Sequence, residues 1–212
     1  PLDREAWTEI ARNGSWQMTR MNVNTFTRHG VFKDRQMVKL IAKKLADPRA
    51  IEKARVFPYQ LLAAHAVASE NVPREILDAL RAALECSVRN VPELPGQTWV
   101  FVDISASMHS PVTGRRGSAT TAVRCVDVAA LIAAAVVRRN PSARVLPFHH
   151  HIVKKRIDPG DTIMTNAEKL ATMPGGGTNC SAPMEEVNRQ KAHADTIIYV
   201  SDNESWVDTR DP

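Results

Sequence analysis

Aromatic residues make up only 5% of the 212-residue chain, so platforms on which bases could stack are few. Cysteine is scarcer. Cys86, Cys125 and Cys180 form an odd, widely spaced set without a C-x-x-C pair, which excludes a disulfide framework or a cysteine zinc site and predicts reduced, buried thiols. No apolar run reaches the roughly 18 residues of a membrane-spanning helix, which excludes a membrane protein. The opening PLDREAWTEI is charged and lacks the apolar core of a secretory signal, so the expectation is a cytoplasmic protein. What is present is ordinary globular material: 43% hydrophobic, 24% charged, net charge +5. That is enough to build a core in one or two domains and too mixed for a disordered tail.

The chain changes grammar near its middle. Residues 1–96 read as helices. In 34–45, Met37, Val38, Ile41, Ala42 and Leu45 form one stripe, with Lys39, Lys43 and Lys44 away from it, the pattern of an amphipathic helix. Asp47-Pro48 stops it, and Pro58 and Pro73 stand where proline opens a new helix. Four or so short helices without an intervening strand predict part of an α-solenoid. After the linker Val91-Pro-Glu-Leu-Pro-Gly96 comes the apolar run TWVFVDIS, read as a buried strand. A helix over about 120–138, a strand ARVLPF, helices near 166–173 and 183–191, and a strand TIIYVSD follow. Strands alternating with helices predict a parallel sheet covered on both faces, with the α/β half running over 97–212. Three strands are few for a doubly wound sheet, so the expectation is a piece of a longer protein.

Charge is uneven. The window 20–55 holds 10 basic and 3 acidic residues, which reads as a solvated helix face or a phosphate-binding surface. Arg28, Lys33, Arg35, Lys39, Lys43 and Lys44 are the candidate RNA contacts there, and Arg115 and Arg116 are candidates in a loop of the second half. Neutralising five phosphates would give a log–log salt slope of about −3.5 for a single strand.

The sharpest motif is Asp103-Ile-Ser105-Ala-Ser107, directly after the strand WVFV. Ligands of an open parallel sheet sit beyond the carboxyl ends of its strands. Two other segments end at that same rim: the loop Gly175-Gly-Gly-Thr178, and Ser201-Asp202 after TIIYV. Asp103, Ser105, Ser107, Thr178 and Asp202 offer hard oxygen donors only, which suit Mg²⁺ first, then Mn²⁺ or Ca²⁺, and disfavour zinc. With at most two carboxylates on a dication, the ion keeps an open position for an acidic group from a protein partner.

Other readings of these residues are weaker. A helix-capping turn at 103–107 explains neither Thr178 nor Asp202. The glycine run lacks the lysine of a P-loop. Ser105 cannot serve as the second acid of an aspartyl-phosphate enzyme. Cys180 has no histidine in an identifiable motif. His149-His150-His151 point to alternate faces if the strand continues, so they cannot bind one metal without a loop; they are read as surface histidines. Lys154, Lys155 and Arg156 read as a solvated basic loop.

The D-x-S-x-S, T and D set resembles the metal-ion-dependent adhesion site (MIDAS) of von Willebrand factor A domains, with all five positions present. The wider text, KARVFPYQLLAA, then VFVDISASM, PGGGTNCSAPM and VSDNES, resembles the Ro autoantigen family, whose TROVE module precedes such a domain, in a bacterial or phage Ro-like form. The resemblance implies the C-terminal helices of a HEAT-like ring over 1–96 and a Rossmann-like von Willebrand factor A domain over 97–212, both partial. It implies a non-enzymatic ribonucleoprotein scaffold for RNA quality control, binding Y RNA or Y-like RNA and misfolded non-coding RNA. In bacterial relatives it implies an exoribonuclease tethered through that RNA. The alternative is a metal-dependent protein-interaction module that never touches RNA.

Overall fold

A computed structural model describes residues 2–66, 70–114 and 122–205. The chain divides into two compact units, Pro1–Asn90 and Val91–Pro212.

The first unit is helical throughout its described residues: α1 Arg4–Asn13, α2 Trp16–Met21, α3 Val23–Arg28, α4 Arg35–Leu45, α5 Pro48–Lys53, α6 Pro58–Ala66 and α7 Arg74–Ser87. Side-chain caps from Asp3, Ser15, Asp34 and Asp47 satisfy amides that open α1, α2, α4 and α5, which explains why short helices start where they do. The α4 stripe is the predicted one: Met37, Val38, Ile41 and Leu45 are buried, and α4 packs on α7, whose Ile76, Leu80, Ala83 and Leu84 are buried. Lys44 departs from the solvated face expected of it. Its ammonium donates to the carbonyls of Ala11 (3.0 Å), Arg12 (3.0 Å) and Gly14 (2.7 Å), closing the C-terminus of α1, where orphan carbonyls favour a cation.

In the second unit, β1 Thr98–Asp103 lies at the centre of a three-stranded sheet of order β2-β1-β3, with β2 Arg144–Phe148 and β3 Thr196–Val200. Both pairings are parallel, with Trp99 opposite Arg144 and Ile197. Every residue of β1 is buried, as a central strand covered on two sides requires. Trp99 and Phe101 join Phe148 and Val187 of α10 (Ala182–Arg189) in one cluster. Val100 and Val102, on the opposite face by strand alternation, are fully buried, and α8 (Cys125–Arg139) packs on β1 and on α9 (Ile163–Ala171).

β3 is less covered, with Ile197 and Tyr199 each 39% exposed. Helix α9 starts three residues before its expected position because the Thr162 hydroxyl accepts from the Thr165 amide at 3.1 Å. The 91–96 linker belongs with this unit: the Asn140 side chain accepts from Leu94 N (2.7 Å) and donates to Pro92 O (3.2 Å). All three cysteines are free and half-buried.

Candidate ion rim and basic helical stripe

Parallel strands deliver their C-terminal ends to one edge, and the loops there are stitched together by specific bonds. Ala106 N donates to Gly176 O at 2.9 Å, joining the β1 loop to the glycine loop. Asn179 N donates to His149 O at 2.9 Å, joining the glycine loop to the turn after β2. Cys180 N donates to Ser205 Oγ at 3.2 Å, joining it to the segment after β3. Gly175 suits this closeness: a Cβ there would meet Ala106 N at 3.1 Å, Ala106 Cα at 3.2 Å and Ile104 O at 3.3 Å, so the β1 loop would have to give by a few tenths of an ångström.

Within the rim, Asp103 and Ser105 are 0% and Thr178 1% exposed, Ser107 is half-buried and Asp202 is exposed. Asp103 Oδ1 accepts from Ser105 N at 2.8 Å and Oδ2 from the Ser201 hydroxyl at 2.6 Å. No lysine or arginine pairs with this buried carboxylate among the described residues. A buried charge of this kind calls for a metal or an ion-pair partner. The hydroxyl oxygens of Ser105 and Ser107 lie 3.1 Å apart. Two cis ligands of an octahedral Mg²⁺ at its usual bond length stand about 3.0 Å apart. The donor chemistry, the unpaired buried carboxylate and that spacing fit a small hard dication.

Three groups around the rim are shifted chiefly by burial. Burial first, then the charges of Asp202 and Asp127, push the Cys125 thiol up, so it stays protonated. Burial raises the Tyr199 phenol, helped by Cys180 and Asp103; its hydroxyl donates to the Cys180 carbonyl. Burial holds His149 below the usual histidine value, with His151 and His150 adding to the effect and Asp103 opposing it.

In the helical unit, Arg35, Lys39 and Lys43 stand at i, i+4 spacing along α4 and are all exposed, which places them on one stripe. Arg28 and Lys33 are also exposed, Arg28 donating to Thr25 Oγ1 at 3.2 Å. Lys44 is engaged at the end of α1. Trp16 is buried with its indole N–H on Leu45 O at 3.0 Å, Trp99 is buried beneath the Arg144 guanidinium, and Trp7 is stacked on His29. Arg115, Arg116 and Trp206 lie outside the described residues.

The Ro60 vWA domain, as a family, matches residues 97–212. The chain belongs to the Ro60 family. A TROVE domain match covers residues 3–76. The chain is 27% identical over 199 residues to the RNA-binding protein RO60 of Deinococcus radiodurans, covering 87% of this chain and 36% of that protein. With the RNA-binding protein RO60 of Caenorhabditis elegans it is 22% identical over 183 residues, 82% of this chain and 28% of that protein. It therefore spans about a third of the length of these curated relatives. The crystal structure of the Deinococcus radiodurans RO (RSR) protein superposes with a TM-score of 0.81 at 23% identity, over 98% of this chain and 43% of that one. This likeness establishes the fold: helices followed by a von Willebrand factor A-like sheet.

Against this Ro60-family frame, sequence reasoning missed two features of the rim. The sequence marks Ser201 only as the end of a strand, although its hydroxyl holds Asp103. Strand alternation predicts three histidines on opposite faces, yet β2 ends at Phe148 and residues 149–151 form a turn that gathers their rings. Among the described residues, no helix is long and apolar enough to cross a membrane.

Proposed function

We propose that the chain forms part of a Ro-type RNA-binding scaffold in non-coding RNA quality control, its helices gripping RNA and its α/β unit presenting an ion-dependent docking face. The observation that carries the reading is one overlap: the TROVE match, residues 3–76, contains the stripe Arg35, Lys39 and Lys43 with the exposed Arg28 and Lys33. The relatives from Deinococcus and Caenorhabditis are named RNA-binding proteins. Y RNA, Y-like RNA and misfolded non-coding RNA are the proposed ligands, and an exoribonuclease tethered through the RNA is the proposed partner in a cytoplasmic particle. With Trp16 and Trp99 buried, the grip is electrostatic and salt-dependent rather than built on base stacking.

Asp103, Ser105, Ser107, Thr178 and Asp202 would hold Mg²⁺, with Mn²⁺ or Ca²⁺ as substitutes. When bound, the ion supplies an open coordination position for a carboxylate of an acidic protein ligand. Asp103 fixes the base of the site, because Ser105 N and Ser201 Oγ hold its two oxygens. Ser105 and Ser107 present their hydroxyls side by side. The role is binding, not catalysis.

The test is a filter-binding titration of the chain with structured RNA across a salt series, run beside an Asp103→Ala variant and paired with calorimetric Mg²⁺ titration. The expected result is RNA binding that falls steeply with salt and survives the substitution, while Mg²⁺ uptake is lost. A flat salt response would remove RNA. In that outcome the second reading holds, a metal-dependent protein-interaction module, which the side-by-side Ser105 and Ser107 hydroxyls favour independently of the helices.

A further inference from the structure

The chain turns sharply after β2. His149 N donates to His151 O at 3.1 Å, His150 N donates to His149 Nδ1 at 2.8 Å, and Phe148 bridges Ile152 in antiparallel fashion. This turn abolishes the alternation of a strand and brings three imidazoles together, with ring centroids 4.2–4.3 Å apart. One nitrogen from each ring lies within 4.8 Å of the others. His149 is only 6% exposed, whereas His150 and His151 are exposed.

Across from them stands the glycine loop. A Cβ on Gly176 would lie 2.8 Å from His150 Nδ1 and 3.3 Å from His149 Nδ1. The bare backbone of Gly176 and two ring nitrogens thus face the same point, and any larger residue at 176 would displace a ring.

From this geometry we infer that His149, His150 and His151 form a second metal site, separate from the oxygen rim, for a borderline transition-metal dication of the zinc class. Three imidazole nitrogens and no hard oxygen suit Zn²⁺, Co²⁺ or Ni²⁺ and disfavour Mg²⁺. In a tetrahedral zinc site the nitrogens stand about 3.4 Å apart, a closure the two exposed rings reach by side-chain rotation. The His150 amide bond to Nδ1 places the neutral His149 proton on Nε2. Ligation through Nδ1 exchanges that hydrogen bond for the metal, and ligation through Nε2 requires the proton to move to Nδ1, which gives up the bond from the His150 amide. Three protein ligands leave a fourth position for water or an exogenous donor. The two sites share one loop, with Gly175 against Ala106 and Ile104 and Gly176 against the histidines.

The test uses the whole 212-residue chain saturated with Mg²⁺, titrated with Zn²⁺ against a chromophoric chelator and with Co²⁺ by visible absorption. The expected result is one Zn²⁺ per chain and tetrahedral Co²⁺ bands without thiolate charge transfer. A His150→Ala/His151→Ala double variant, altering exposed side chains only, loses zinc affinity by about tenfold or more. Gly176→Ala weakens it without removing a nitrogen, with circular dichroism reporting the fold. Zinc uptake no tighter than that of the urea-unfolded chain would overturn the site, as would a double variant that binds like the parent. Displacement of Zn²⁺ by Mg²⁺ would reassign the ion to the oxygen rim and also overturn it.

Discussion

The Ser201 hydroxyl donates a 2.6 Å hydrogen bond to Asp103 Oδ2 across 98 residues of sequence. It fastens the end of an edge strand to the end of the central one, and it fixes the orientation of a carboxylate that is fully buried. Bonds to charged acceptors are shorter and stronger than neutral ones. Ser201→Ala leaves Oδ2 without this donor and is expected to destabilise the α/β unit by about 1.5–3 kcal/mol. Urea unfolding of parent and variant measures it; equal midpoints would show the bond to be idle.

Lys44 and its neighbours on α4 separate by experiment. Lys44→Met removes three bonds to the α1 carbonyls, so the expected outcome is a loss of about 1–3 kcal/mol in stability with little change in the salt slope of RNA binding. Lys39→Gln with Lys43→Gln should do the reverse, leaving the melting temperature in place and making the slope shallower by about 0.7 per lost phosphate contact on a single strand.

How far the sequence carried the reading depends on the length of the signal. The α4 stripe was legible because eleven residues display several turns of periodicity, and Asp34 marks the start. Helix α5, with six residues, is too short for a period to show and was read only as a stop. That the β1 loop, the glycine loop and the segment after β3 lie at one edge was legible because strand ends in a parallel sheet share an edge. Ser201 was not, since one residue before a recognised aspartate it carries no pattern of its own. The histidine turn was not legible because strand alternation, continued three residues past Phe148, places the rings on opposite faces. The engagement of Lys44 was hidden because its acceptors lie 30 to 33 residues away.

Gly175→Ala tests the closeness of the glycine loop to the β1 loop. The new methyl would meet backbone atoms at 3.1–3.3 Å, and backbone yields less readily than a side-chain tip. We expect about 1–3 kcal/mol of destabilisation and weaker Mg²⁺ uptake at a temperature where the variant is still folded. Unchanged calorimetry and thermal unfolding would mean that the loop has slack.

Glu186 supplies a pH prediction. Hydrogen bonds from Arg189, then from Gln190, hold its carboxyl down to about 2. A depressed carboxyl stabilises the folded state at pH values above the unfolded value, about 4.3 for glutamate. That contribution fades as pH falls from there through about 2. Arg189→Gln should return the carboxyl toward its ordinary range, read directly by carbon-detected NMR titration. An unmoved titration midpoint would assign the depression elsewhere.

Strand β1 is made before β3 and pairs with it only after nearly a hundred further residues have been synthesised. At ribosomal elongation rates this is a wait of roughly 5–20 s. During that interval the nascent strand lacks the Tyr199 ring that packs on Phe101 and the Ser201 hydroxyl that bonds Asp103. Closing so long a loop is slow, so the pairing of β1 with β3 is a late step in assembling the sheet.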